Sequence, residues 1–171
     1  MSNGVSNYSI IRVAPTLSTD AYAQGDVLFN PTAIPNAVRG DNGCSELVAM
    51  YLVDYSDNAT SDIRFVFTES GGTNFGTINE TANIADGDLK ALGICGGGML
   101  DADQGSTSSF IDTSRLYPVL SLPGSSDTYP FGFLQAASGS TSVYITGIFT
   151  SSGTPTYAAD SFELIFHIKY K

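Results

Sequence analysis

Tryptophan is absent from this chain, and histidine occurs once, at His167. Cysteine occurs twice, at Cys44 and Cys95, far apart. Each shortage excludes something. One histidine and two separated cysteines do not supply the clustered N and S ligands of a zinc centre. In the reducing compartment expected below, two free thiols are the simple reading. Ser or Cys nucleophiles usually need a neighbouring base, and His167 is the one histidine that could serve. A sugar-binding cleft would have no indole to stack on. Two carboxylates could in principle cleave a glycosidic bond, but no Asp/Glu pair stands out by context.

Charge is also scarce. Charged residues make up 14% of the chain, against about a quarter in an ordinary globular domain. Basic residues are the scarcer kind: 7 Lys and Arg against 17 Asp and Glu give a net charge of −10. That balance repels phosphate backbones and anionic lipid surfaces, which predicts no nucleic-acid and no membrane partner; a basic partner is the favoured electrostatic match, or none. No apolar run approaches the roughly 18 residues of a membrane helix. The opening MSNGVSNYSII has neither the basic region nor the apolar run of a signal peptide, so synthesis in a cytoplasm is expected. Asn58-Ala-Thr and Asn79-Glu-Thr match glycosylation sequons; without export they read as chance.

What is present is a β-forming pattern. The 171 residues are 42% hydrophobic and include 18 glycines, which predicts a single domain over 1–171 with a real core and many turns. In SELVAMYLVDY, Leu47, Ala49, Tyr51 and Val53 alternate with Val48, Met50 and Leu52. Both sets are apolar, so the stretch reads as a central strand covered on both sides. SDIRFVFTES alternates more cleanly, with Ile63, Phe65 and Phe67 inward. Asp57-Asn58 between them is turn chemistry, and 45–69 reads as an antiparallel hairpin. YPFGFLQAAS and TSVYITGIFTS form a similar pair around residues 138–140. DSFELIFHIKYK puts Phe162, Leu164, Phe166 and Ile168 on one face and Glu163, Ile165, His167 and Lys169 on the other.

YSIIRVAP, within an N-terminal arm or first strand at 1–14, and GDVLF add two strands, and GICGGGML and SRLYPVLSL are weaker candidates. The expected fold class is all-β: an antiparallel β-sandwich or jelly-roll-like domain of about eight strands with at most one short helix. That helix is NIADGDLKAL, with Asp86 and Asp88 early, Lys90 late and Gly93 as its cap. Residues 95–113 read as a long Gly/Asp-rich loop.

Metal binding has one candidate chemistry. Asp101 and Asp103 have the alternating spacing that opens a calcium loop, and Asp86 and Asp88 flank a glycine. The twelfth position from Asp101 is Asp112, not the glutamate of an EF-hand, so solvated acidic loops are the favoured reading and no cofactor is expected. Gly96–Gly98 lacks the Lys-Ser/Thr pair of a phosphate cradle. The pattern predicts no enzyme. It predicts assembly, with the terminal strand as an edge that could join a neighbour's sheet and Lys169 and Lys171 either as its guarding charges or as partners for the acidic surface of another copy.

Several stretches together resemble a known group. RVAPTLSTDAYAQGDVLF is followed by AIPNAVRGDNGCSELVAMYLVDYSDNATSDIRFVFTES, then FGTINETANIADGDLKAL, then YITGIFTSSGTPTYAADSFELIFHIKYK. This order is similar to small tailed-phage virion proteins of the head decoration (cement) or accessory structural type. The resemblance implies a capsid decoration protein that binds the assembled major capsid protein and stabilises the head. It implies a homo-oligomer such as a trimer, placed on the virion head surface. It brings no catalytic residues. His167, Lys169, Tyr157 and Pro155 are the candidate interface. A second reading is a tail, fibre or vertex-attached β module that binds a host glycan or receptor through Tyr117, Tyr129 and Tyr157. A carbohydrate-active enzyme is the third.

Overall fold

A computed structural model describes residues 7–56, 62–101, 108–111, 114–121 and 132–171. Ten strands and one helix follow in order among them: β1 Tyr8–Val13, β2 Val27–Ile34, β3 Cys44–Asp54, β4 Ile63–Thr68, α1 Asp86–Leu92, β5 Ile94–Leu100, β6 Ser108–Ile111, β7 Ser114–Ser121, β8 Phe133–Gln135, β9 Val143–Phe149 and β10 Phe162–Tyr170. They form two antiparallel sheets in a sandwich-like all-β fold. The first runs β1-β10-β3-β7, with β6 on β7 and β8 on β3; the second runs β5-β4-β9-β2.

β7 joins the two sheets. Its residues Arg115–Val119 pair with β3, whereas Leu120 and Ser121 pair with Met99 and Gly98 of β5. Opposite β3, β6 pairs with Ser114–Leu116 and β5 with 120–121. Pro118 falls between those two partners, where a residue without an N–H is tolerated.

The inner faces carry the core. On β10, Phe162, Leu164, Phe166 and Ile168 are buried as their alternation predicts, and on β4 so are Ile63, Phe65 and Phe67. Phe166 meets Phe67 across the sandwich edge-on, with ring centres 6.4 Å apart. The glycines of the second sheet sit opposite its largest rings: Gly98 faces Phe65, Gly96 faces Phe67, and Gly147 lies between Phe29 and Phe65. Large beside small keeps each layer at native packing density.

Four expectations are corrected. The stretch 45–69 is not a hairpin: β3 pairs with β10, β7 and β8, while β4 pairs with β5 and β9 in the other sheet. Likewise β8 pairs with β3, and β9 with β2 and β4. The 95–113 stretch begins as strand, since β5 runs to Leu100, and Ser108–Ile111 is strand as well. Finally, β10 is not an edge: it lies between β1 and β3. The strand order ends instead at β1 and β2, whose Cα atoms approach within 8 Å. β2 contains Pro31, which cannot donate to an added strand.

The helix forms where its charges and cap favour it. Asp86 and Asp88 lie in the first turn, Lys90 in the last, and Gly93 closes it at φ 68°. Together with residues 70–85, α1 covers the outer face of the second sheet. Phe75 and Leu92 are buried there with Val27, against Val66 and Ile148. Asn30 fixes this cover, donating to the Gly76 carbonyl and accepting from the Phe75 amide, both at 2.8 Å.

A candidate interaction face

The first sheet has no such cover among the described residues. Its ladder registers place its outward side chains in rows. One row holds Arg12, Ile165, Tyr51 and Pro118; the next holds Ile10, His167 and Ala49; a third holds Tyr8, Lys169, Glu46 and Phe133. Tyr8, Ile10 and Phe133 are each about 60% exposed. Ile165, Tyr51 and Val53 are only partly covered. β3 is therefore central, but none of the described residues covers its outer side, where its apolar alternation predicts a cover. A bulge at Val48, where the partners jump from His167/Ala49 to Ile168/Leu47, returns Leu47 to the inner face.

Two carboxylates on this face are held by donors from their own chain. Glu163 Oε2 accepts from Arg12 and from the Tyr55 hydroxyl, each at 3.0 Å. Burial and then the bond to Glu163 raise the Tyr55 pKa, which keeps its hydroxyl a donor. Glu46 Oε2 accepts from Lys171 at 2.8 Å, with Lys169 at 3.9 Å. Those cations hold the Glu46 pKa below its ordinary value. Such exposed pairs add little to stability; their role is to fix side-chain directions. His167 sits among them with its ring edge-on to Tyr51, centres 5.5 Å apart.

The sequence candidates separate. His167 and Lys169 share this face. Tyr157 does not: it is 3% exposed and packs on Phe162 and Tyr22, with ring centres at 4.7 and 5.8 Å. Pro155 lies in the β9–β10 connection, where its carbonyl accepts from the Tyr22 amide. Tyr157 is thus a core residue and leaves the interface, whereas Pro155 is half-buried in that connection, outside the strands of the open face. Tyr117 is buried as well, and Tyr129 lies outside the described residues.

The acidic candidates do not converge. Asp86 and Asp88 are exposed at the start of α1, before β5, and Asp101 follows the end of β5. A strand of that length spans about 20 Å, so these carboxylates cannot share an ion. Asp103 lies outside the described residues. Among the described residues no group of three His, Cys, Asp or Glu could hold a metal. Nor is any described helix long and apolar enough to cross a membrane.

Sequence reasoning missed most of the open face. Arg12, Ile10, Tyr8, Tyr55 and Phe133 gave no motif. The available signal was the double-sided apolarity of β3, which marks either a covered strand or one awaiting a partner. Comparison with family models, curated proteins and solved structures finds no match to this chain.

Proposed function

We propose that the protein is a virion structural protein, a phage capsid decoration or cement protein that binds assembled major capsid protein and stabilises the head. The observation carrying this reading is the open outer face of the first sheet, apolar and charged together, on a sandwich whose other outer face is covered by its own chain. A rigid sheet face suits docking onto a fixed lattice, because little conformational entropy is lost on binding. Repetition over a shell lets modest interfaces act together, and the added contacts would slow shell opening. The order of segments from Arg12 to Lys171, which is similar to such virion proteins, points the same way. A net charge of −10 keeps free copies apart from each other and from packaged nucleic acid.

The glycan-binding reading leaned on Tyr117, Tyr129 and Tyr157. Two of these lie in the core, so it has less support. Quantitative mass spectrometry of purified particles tests the proposal. A copy number comparable to the major capsid protein supports shell decoration. A few copies per particle would move the protein to a vertex or tail, and absence from the particle would end the structural reading.

A further inference from the structure

We infer that the outer face of the β1-β10-β3 sheet docks onto a protein surface rich in carboxylates with apolar side chains between them, in one orientation. The inference rests on the shell-binding reading and adds the chemistry of the surface bound. The face has more donors than acceptors. Among the described residues, Arg12, Lys169 and Lys171 project from it beside His167, against the carboxylates of Glu46 and Glu163. Those carboxylates pair with the same cations, Glu163 with Arg12 and Glu46 with Lys171 and Lys169, and Glu163 also accepts from Tyr55, which leaves one cationic charge in excess on the face. Elsewhere among the described residues stand eleven Asp and Glu against four Lys and Arg. The described part of the molecule is therefore electrically one-sided. A carboxylate-bearing surface is attracted by this face and repelled by the remainder, so charge selects the orientation before contact.

Apolar area would then supply the holding energy. Tyr8, Ile10, Tyr55 and Phe133 are all more than half exposed, and they ring the cations rather than forming a separate patch. A partner's carboxylates could meet Arg12 and Lys169 while its apolar side chains cover Ile10 and Ile165. Two-fold pairing with a second copy of this chain is a poorer fit. It would set the face's excess of cations against the same excess. Nucleic acid is poorer still, since so small a cationic excess sits on a chain of net charge −10.

The test uses the full chain and capsid shells assembled from the major capsid protein alone. Arg12→Glu with Lys169→Glu reverses charge on the face; Arg64→Glu with Lys90→Glu makes the same change elsewhere. Thermal unfolding first establishes that both variants are folded. The expected result is that the face variant binds shells at least about tenfold more weakly. The control should bind like the parent, and parental binding should weaken as salt rises. If the parent binds but the face variant binds equally well, this inference is wrong and the shell-binding reading stands. Equal weakening in both variants would make net charge the determinant and also overturn it. If sedimentation shows the parent as a dimer that the face variant abolishes, the occupant is a second copy and the inference fails. If the parent does not bind shells, the shell-binding reading fails and takes this inference with it.

Discussion

The Phe29 ring lies directly over Gly147, its register partner on the neighbouring strand. A Cβ at Gly147 would come within 2.5 Å of that ring. Phe65 flanks the same glycine from the other side, and the two rings stand 6.3 Å apart. Here a glycine inside a strand is a packing element: it leaves the space that two large rings fill. Gly147→Val should therefore cost about 1–3 kcal/mol through overpacking, despite the better β propensity of valine. Urea unfolding measures this, and a more stable Val variant would show that the rings are not packed on Gly147.

Removal of β10 should abolish folding. Truncation at Asp160 deletes Phe162, Leu164, Phe166 and Ile168, all essentially buried, and takes away the strand that both β1 and β3 pair with. Losses of roughly 2–5 kcal/mol per large side chain exceed the usual total stability of about 5–15 kcal/mol. The truncated chain should lack a cooperative thermal transition. A milder version, Phe166→Ala, should lower stability by about 3–5 kcal/mol, since that ring bridges to Phe67 of the other sheet.

The two cysteines should differ in reactivity. Cys44 is exposed, whereas Cys95 is partly covered in β5 and burial pushes its thiol pKa up. The thiolate is the reactive form. Alkylation of native protein near neutral pH should label Cys44 first and Cys95 much later, and denaturant should equalise them. Equal native rates would contradict the placement of Cys95 in the strand.

Glu46 gives a pH prediction of defined sign. Its pKa is lowered in the folded chain, first by the hydrogen bond from Lys171. A carboxylate with a depressed folded pKa contributes stability above its unfolded pKa and loses it as pH falls through the folded one. Lys171→Met should move the Glu46 titration, followed by NMR, upward toward an ordinary glutamate. An unchanged midpoint would show that the pair does not form in solution.

The extent to which sequence predicted structure follows from what alternation encodes. On β10 and β4 the period of two identified the buried face residue by residue, and α1 was legible from its acidic start and Gly93 end. Alternation does not encode which strand pairs with which. The Asp57-Asn58 turn chemistry suggested that β3 and β4 stay together, yet the chain crosses from one sheet to the other between them. Gly96–Gly98 left GICGGGML only a weak strand candidate and also suggested a loop, because glycine is a weak strand former; the rings of Phe65 and Phe67 opposite give that stretch its partner. At the candidate face, His167 and Lys169 were legible because β10 alternates cleanly. Arg12, Tyr55 and Phe133 were not, because ladder pairing and loop ends far apart in sequence bring them together.

The most direct measurement is hydroxyl-radical footprinting of the protein free and on purified particles. Tyr8, Tyr55 and Phe133, exposed on the first sheet, should become protected on the particle. Ile94, 56% exposed at the start of β5 beside α1, should stay reactive. Protection of Ile94 with Tyr8, Tyr55 and Phe133 unchanged would place the docking surface on the other side of the molecule and contradict the account.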